Sequence, residues 1–388
     1  MSTQAFSKEE LERYSRHIII PEFNLEGQAK LKQARVLVVG AGGLGAPLLQ
    51  YLAAAGVGHL GIVDFDRVED HNLQRQVLFG VEDIGRLKVE AAQDRILALN
   101  PYIVVKTYNT RLSSENALEI IQGYDLVADG TDNFPTRYLV NDACVLLDKV
   151  NVYGSIFRFD GQVSVFNFRD PSSGIRGPNY RDLYPAPPPP GMVPSCAEGG
   201  VLGVLPGIIG SLQASEVIKV ITGIGTPLSG RLFIFDALTF ATRTLKFQSD
   251  PDNPISGDLP TQTGLIDYEY FCGLTLGQAD PALAVREITV LELERWRQEG
   301  EDFQLIDVRE PYEYGIVHLS GELIPVSQIQ DQLEKISKTK KVVFHCRSGK
   351  RSEKVVRDLS SKGFDNVYNL KGGVLAYIQE VNPELPRY

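Results

Sequence analysis

The chain is predicted to be an α/β protein: a doubly wound parallel sheet, followed by a second, smaller α/β unit. Three observations carry this. Short apolar runs such as RVLVVG (35–40), LGIVDFD (60–66), IVVKTYN (103–109) and DLVADGTD (125–132) read as buried strands. Helical segments separate them, so neighbouring strands pair in parallel through crossover helices. A second set of strand and helix runs starts near residue 286, after a stretch where apolar periodicity fades.

Residues 1–30 read as a charged helix and a short connection. GGLGAPLLQYLAAAG (42–56) is a helix with a glycine-rich start, GRLKVEAAQDRILALN (85–100) a helix stopped by Pro101, and SSENALEIIQG (113–123) a third. GQVSVFNF (161–168) alternates with period two and reads as an antiparallel strand. The segment 177–196 contains four consecutive prolines, which neither a helix nor a central strand accepts, so it is a long surface loop. VLGVLPGIIGSLQASEVIKVITG (201–223) is almost wholly apolar and predicts a buried helix, bent at Pro206. RLFIFDALTFATRTLKF (231–247) reads as a strand pair. The expected division is a first domain over 1–247, a linker over 248–285 and a second domain over 286–388.

Charge and composition narrow the function. Of 388 residues, 39 are Lys or Arg and 49 Asp or Glu, and the net charge of −10 argues against a broad nucleic-acid-binding face. No apolar run reaches the ~20 residues of a membrane span, and the N-terminal segment lacks the pattern of a secretory signal. Four cysteines, Cys144, Cys196, Cys272 and Cys346, lie far apart without a C-x-x-C pair. The expected compartment is therefore the reducing cytoplasm. Cys144 has apolar neighbours and reads as core; Cys272 has no role that its surroundings suggest.

Gly40-Ala41-Gly42-Gly43-Leu44-Gly45 follows a strand and opens a helix. In that context glycines allow a tight turn and close approach of phosphate, and the helix N-terminus favours negative charge. Asp64, at the end of the next strand, suits ribose hydroxyls. Alone, the motif suggests an NAD-dependent dehydrogenase. The His71-Asn72-Leu73-Gln74-Arg75-Gln76 run and Lys88 argue otherwise, because extra cations after the second strand suit a triphosphate whose pyrophosphate must leave. Asp129-Gly130-Thr131-Asp132-Asn133 ends the fourth strand, where a carboxylate is a natural Mg²⁺ ligand alongside substrate phosphates. Asp132 also reads as a helix N-cap, a role compatible with metal binding.

RYSRHI (13–18), GAGGLG, NLQRQ, Lys88, DGTDN and SCAEGGVLGVLPGIIGSLQASEVIK together resemble the E1-like MoeB and ThiF adenylyltransferases over about residues 8–247. The resemblance implies a Rossmann-like adenylation domain. Its nucleotide contacts would be Gly40, Gly42, Gly43, Gly45, Asp64, Asp66, His71, Leu73 and Gln74, with Asn72, Arg75 and Lys88 on the phosphates. Asp132 would bind Mg²⁺ with Asn133 beside it. Arg16 would reach the ATP of a partner subunit, which implies a homodimer. The reaction implied is attack of a protein C-terminal carboxylate on the ATP α-phosphate, with Arg75 and Lys88 catalytic through charge neutralisation.

Cys196 ends the proline-rich loop just before the apolar helix, where a thiol gains thiolate character. By resemblance it matches the E1 active-site cysteine, receiving the acyl group or resolving a persulfide. The family usually binds zinc through two C-x-x-C pairs. Here the first pair would fall at Asn179 and Asp182 and the second near 250–254, none of them cysteine, so no zinc is expected. In this the chain resembles MoeZ-type variants with a PNYRDLYP-like segment.

LIDVREPYEYGIVHLSGELIPV and VVFHCRSGKRSEKVVRDL resemble a rhodanese domain. Cys346 ends a strand, and Arg347, Ser348, Gly349, Lys350, Arg351 and Ser352 form a persulfide loop whose amides and cations would stabilise a sulfur anion. A tyrosine-phosphatase loop is the rival, but it needs C-x5-R, and the sixth residue after Cys346 is Ser352. Asp307 and Arg309 match the family's structural pair, and Gly372-Gly373 marks a tight turn before a last helix.

The two resemblances together imply adenylation of a ubiquitin-like sulfur carrier ending in Gly-Gly, then sulfur transfer from Cys346 to give a thiocarboxylate. The sulfur donor would be thiosulfate or a cysteine desulfurase, and neither nucleic acid nor membrane is an expected partner. Molybdopterin synthesis is the favoured destination by analogy, with thiamine, tRNA thiolation and cysteine synthesis as alternatives. A scaffold retaining only rhodanese activity is the reading from another class.

Overall fold

The computed structural model describes residues 6–189, 199–273 and 285–388. The chain divides into two compact units, Met1–Thr275 and Leu276–Tyr388. The first opens with three short helices, α1 (Lys8–Arg13), α2 (Ser15–Ile18) and α3 (Asn24–Gln33). Its centre is one eight-stranded sheet built from β1 (Arg35–Val39), β2 (His59–Asp64), β3 (Val104–Asn109), β4 (Leu126–Asp129), β5 (Val150–Phe157), β6 (Asp160–Phe166), β7 (Arg231–Asp236) and β8 (Thr242–Lys246).

The strand order is β3-β2-β1-β4-β5-β6-β7-β8. The first five are parallel and the last three run antiparallel to their neighbours. Helices α4 (Gly45–Ala55), α5 (Lys88–Leu99), α6 (Ala117–Gln122) and α7 (Phe134–Leu146) make the crossovers. Both faces of the sheet are covered, as the all-apolar strands require. Val36 and Val38 enter one core cluster with Leu48 and Leu52; Leu37 and Val39 enter the other with Val127 and Tyr138. The strand order reverses between β1 and β4, so their carboxyl ends open a crevice, the usual ligand position in such sheets.

After α8 (Tyr180–Leu183), the long apolar helix α9 runs from Leu205 to Thr222. Pro206 lies in its first turn, not at an internal bend. This corrects the expected kink: at that position the missing N–H has no intrahelical acceptor to lose. Residues 201–204 stay outside the helix, with Val201 bridged to Arg158.

The stretch expected as a linker from residue 248 folds onto the first unit as far as it is described. It includes a short helix, α10 (Tyr268–Phe271). Asp142 and Arg181 form a buried bidentate ion pair, at 2.8 and 2.7 Å. The Tyr268 hydroxyl and the Gln262 amide donate to the same carboxylate at 2.7 and 2.8 Å. A charge pair taken out of water needs its remaining lone pairs filled, and the segment supplies the donors. Hydrogen bonds also join the positions where zinc thiolates would fall in the resembled family. Asp182 accepts from the Asn253 side chain at 2.6 Å and from the Asp250 amide at 3.0 Å, and Asn179 donates to Ser256 at 2.7 Å.

The second unit holds a five-stranded sheet formed by β9 (Glu287–Ile288), β10 (Phe303–Asp307), β11 (Glu322–Leu323), β12 (Lys341–His345) and β13 (Val367–Leu370). It is all parallel, in the order β11-β10-β12-β13-β9. Helices α11 (Val290–Glu299), α12 (Pro311–Ile316), α13 (Lys350–Ser361) and α14 (Gly373–Glu380) cover it. Two apolar clusters, around Phe344 and around Val343, form a core of its own. Among the described residues no helix is long and apolar enough to cross a membrane.

Candidate active sites

The first site lies in the crevice at the carboxyl ends of β1 and β4. Gly40 takes a positive φ of 92° and donates its amide to Val63 at 2.8 Å. A Cβ at Gly45 would stand 1.9 Å from the Gly40 carbonyl oxygen, so only glycine closes this turn. A Cβ at Gly43 would lie 3.3 Å from the Pro206 ring and 3.9 Å from Arg75 Cδ, so the turn, the start of α9 and Arg75 surround one small cradle.

Asp64 accepts from the Ala41 amide at 2.8 Å and from the Asp66 amide at 2.8 Å. It thus braces the glycine loop at the place where a ribose is expected. Lys88, at the start of α5, is nearly buried and pairs with Asp66 at 2.9 Å. Arg75 donates to the His71 carbonyl at 3.1 Å, and the Asn72 amide lies 3.1 Å from the His71 ring. Gln74 packs against Gly203 before α9. Leu73 packs on the hydrophobic core, so it anchors the segment.

On the opposite wall, Asp132 is exposed. The N-cap of α7 is Asn133, whose side chain accepts the Thr136 amide at 3.0 Å, so Asp132 does not spend its carboxylate as a cap. Asp129, not singled out from sequence, is fully buried. One oxygen accepts from the Thr131 amide and hydroxyl at 2.9 and 2.6 Å, and the other meets no partner among the described residues. Burial pushes its carboxyl up, against the Thr131 hydrogen bonds and the Arg137 charge. Gln76 ends the polar run read from sequence after β2, where no separate role was assigned to it. It is buried beside Gly42, with its Oε1 unpartnered.

The glycine cradle and the exposed Asp132 fit a magnesium nucleotide. Among the described residues no group of three or more His, Cys, Asp or Glu is placed to hold a metal. A magnesium ion held by one carboxylate takes its other ligands from substrate phosphates and water.

Arg16 is not brought to this crevice. It is exposed on α2, two residues after Tyr14, which receives the Asn100 side chain at 2.8 Å and packs on Gly56. Gly56 and Asn100 precede β2 and β3, so Arg16 stands at the opposite end of the sheet. Cys196 lies outside the described residues. Cys144 is buried and its thiol pushed up by burial; Cys272 is buried and pushed up to about 11 for the same reason. Neither is an available thiolate.

The second site is the loop after β12. Cys346 is 1% exposed, and Gly349 donates its amide to Sγ at 3.2 Å. Ser352 Oγ lies 3.5 Å from Sγ and 2.7 Å from Asn369 Oδ1. Gly349 has φ +89° and is the N-cap of α13, so that helix starts beside the sulfur and directs its positive end there. The Cys346 and Arg347 carbonyls accept amides of Val374 and Leu375 in α14, at 2.9 and 3.0 Å. Gly372 and Gly373, with φ of 73° and 57°, make the turn that permits this. Arg351 grips Glu313 through two bonds of 2.7 and 2.6 Å, and buried Arg309 grips Asp307. Ser348 is half-buried and Lys350 exposed.

His345 precedes Cys346 and is fully buried, 3.8 Å from Asp307, with neither ring nitrogen hydrogen-bonded among the described residues. Burial lowers its pKa to about 4, against the pull of Asp307. An unfolded histidine titrates near ~6.5. Between those values the unfolded chain takes up a proton that the folded one refuses, so the second unit loses stability as pH falls from ~6.5 toward 4, by up to ~3 kcal/mol. The chain has one tryptophan, Trp296, in this unit, so its fluorescence in urea titrations at pH 7 and pH 5 measures the effect. His345→Gln is expected to flatten the difference; an unchanged difference in that variant would show that His345 is not its source.

Residues 14–255 match the ThiF family and residues 289–380 the rhodanese-like domain. Over 387 residues the chain is 50% identical to the probable adenylyltransferase/sulfurtransferase MoeZ of Mycobacterium tuberculosis, covering 99% of this chain and 97% of that protein. It is 58% identical over 269 residues to the sulfur carrier protein adenylyltransferase of Thermus thermophilus, covering 69% and 99%. It is 41% identical over 399 residues to adenylyltransferase and sulfurtransferase MOCS3 of Drosophila grimshawi, covering 99% and 88%. The crystal structure of E. coli MccB with AMPCPP and selenomethionine MccA shares the fold, with a TM-score of 0.56 and 20% identity over 66% of this chain and 76% of that one. The chain therefore belongs to the ThiF family, carries a rhodanese-like domain behind it, and is an enzyme of the adenylyltransferase and sulfurtransferase class.

Proposed function

We propose that the protein adenylates the C-terminal glycine of a ubiquitin-like sulfur carrier and converts it to a thiocarboxylate with sulfur carried on Cys346. The observation that supports this most is that one chain holds two separate sites. One is a glycine cradle beside Arg75, with Lys88 held by Asp66 at the start of α5 and Asp132 after β4. The other is a cysteine whose sulfur faces the Gly349 amide and the start of a helix.

In the first step a carrier carboxylate oxygen attacks the ATP α-phosphorus and pyrophosphate leaves, giving an acyl-adenylate. Arg75 and Lys88 offset charge on the phosphates as the pyrophosphate departs. Asp64 holds the glycine loop and the ribose together. Asp132, with Asn133 beside it, would hold Mg²⁺, which would supply charge neutralisation for the leaving pyrophosphate. In the second step the terminal sulfur of a Cys346 persulfide attacks the acyl carbon and AMP leaves. The Cys196 thiolate, or an external thiol, attacks the Cys346 sulfur of the resulting acyl disulfide; the thiocarboxylate leaves, and the new disulfide on Cys346 is reduced by external thiol before the next turnover.

Arg16 stands away from its own crevice, which fits completion of a partner subunit's site in a homodimer. The sulfur donor is thiosulfate or a cysteine desulfurase, and the four separated cysteines fit a cytoplasmic enzyme. The product feeds molybdopterin assembly; carriers for thiamine, tRNA thiolation or cysteine synthesis are the alternatives. The test is Mg²⁺-dependent ATP–pyrophosphate exchange with Gly-Gly-ended carriers added one at a time. Exchange that requires one carrier identifies the substrate. No exchange with any of them, despite ATP binding, would leave rhodanese activity alone.

A further inference from the structure

Tyr388 has no place in the scheme above, yet it touches the supports of both guanidinium groups in the Cys346 loop. Its main-chain oxygen accepts from Arg347 Nε at 2.6 Å, and the Arg347 guanidinium lies 5.5 Å from its ring centroid. Its hydroxyl accepts from Arg309 and lies 3.3 Å from Glu313 Oε1. Glu313 is the carboxylate that grips Arg351, and Arg309 is locked to Asp307. The ring also packs with Leu385 against the apolar cluster around Val343, so its position is fixed by burial as well as by polar contacts.

Among the described residues no side-chain carboxylate pairs with Arg347, so the contacts with Tyr388 are what orient it. Arginine binds anions through a planar fork, and a misplaced fork loses the match. We infer that Tyr388 is a positioning residue for sulfur transfer: it orients Arg347 directly, and Arg351 through Glu313, so that both guanidinium groups face an anionic sulfur donor at Cys346. The inference rests on the proposed role of Cys346 as the sulfur carrier.

The experiment is steady-state thiosulfate:cyanide sulfur transfer by the full chain, as wild type, Cys346→Ala, Tyr388→Phe and Tyr388→Ala. Tyr388→Ala removes the ring from the Arg347 guanidinium as well as the hydroxyl and is expected to raise KM for thiosulfate about tenfold, the combined scale of a cation–π contact and the hydroxyl link. Tyr388→Phe keeps the ring over Arg347 and loses only the hydroxyl link, so a rise of about two- to threefold is expected. A merely structural role would lower the active fraction, and hence kcat per total enzyme, without moving KM. Unchanged KM in both variants overturns the inference whatever happens to kcat, and if Tyr388→Ala does not fold, unchanged KM in Tyr388→Phe overturns it alone. Wild type without transfer, or Cys346→Ala retaining it, refutes the role of Cys346 and this inference with it. Transfer that depends on Cys346 while KM stays constant in the Tyr388 variants refutes only the positioning role.

Discussion

Cys346→Ala is expected to abolish thiosulfate:cyanide sulfur transfer and carrier thiocarboxylation, while carrier-dependent ATP–pyrophosphate exchange continues at the wild-type rate. No other described residue can replace the sulfur. Cys144 and Cys272 lie in the first unit, buried, with their thiols pushed up. The substitution removes one buried heavy atom beside the Gly349 amide and leaves the ion pairs around the loop in place. The second unit should therefore stay folded, at a cost of ~1–2 kcal/mol for the lost atom and the unmet amide. Exchange is independent because the described residues that form the crevice at β1 and β4, and the core beneath it, belong to the first unit. The three assays on one preparation decide the matter. Loss of exchange along with sulfur transfer would refute the division of labour between two sites.

Lys88→Ala is expected to lower carrier-dependent exchange about 10²- to 10³-fold, the scale of removing one preorganised charge from a reacting site. Sulfur transfer to cyanide should stay unchanged. The Lys88 side chain is only 6% exposed and Asp66 fixes its ammonium, so its position is set before substrate arrives and little reorganisation remains to be done. Asp66 is 52% exposed and is left to water in the variant, so the cost to stability is small. Lys88→Arg should not restore the rate, because a planar fork on a longer stem does not place its charge where a compact ammonium stood. A Lys88→Ala enzyme with normal exchange would make the lysine a structural partner of Asp66 and shift the phosphate-binding role to Arg75.

Much of this was legible in the chain because the signals are local. A glycine run between a strand and a helix has few conformations, and Gly45 shows why: its missing Cβ is the space the Gly40 carbonyl occupies. The Cys346 loop is similarly compact, since Gly349 must take a positive φ to start α13 beside the sulfur. Residues far apart in sequence were not legible. Asp129 looked like one more acidic residue in DGTDN until the fold buried it with one oxygen unpartnered. Pro206 reaches the cradle only because α9 starts beside the glycine loop, and Gln76 because the segment after β2 folds back beside Gly42. The role of 248–273 also stayed hidden, because Tyr268 and Gln262 carry no apolar period and pair with Asp142 across more than a hundred residues.

The amino-acid sequence by itself determined the α/β class, the glycine cradle, the cations that follow it, the Cys346 loop and the family these make. Each depends on backbone conformation or residue type within one short segment. Only the tertiary structure decided which charges are already paired, as in Lys88 with Asp66 and Arg351 with Glu313. It also decided that Asn133 caps α7, that Arg16 stands away from its own crevice, and that Tyr388 returns to the Cys346 loop. The physical reason is that pairing and burial are properties of contacts between distant segments, and those contacts exist only once the chain has closed on itself.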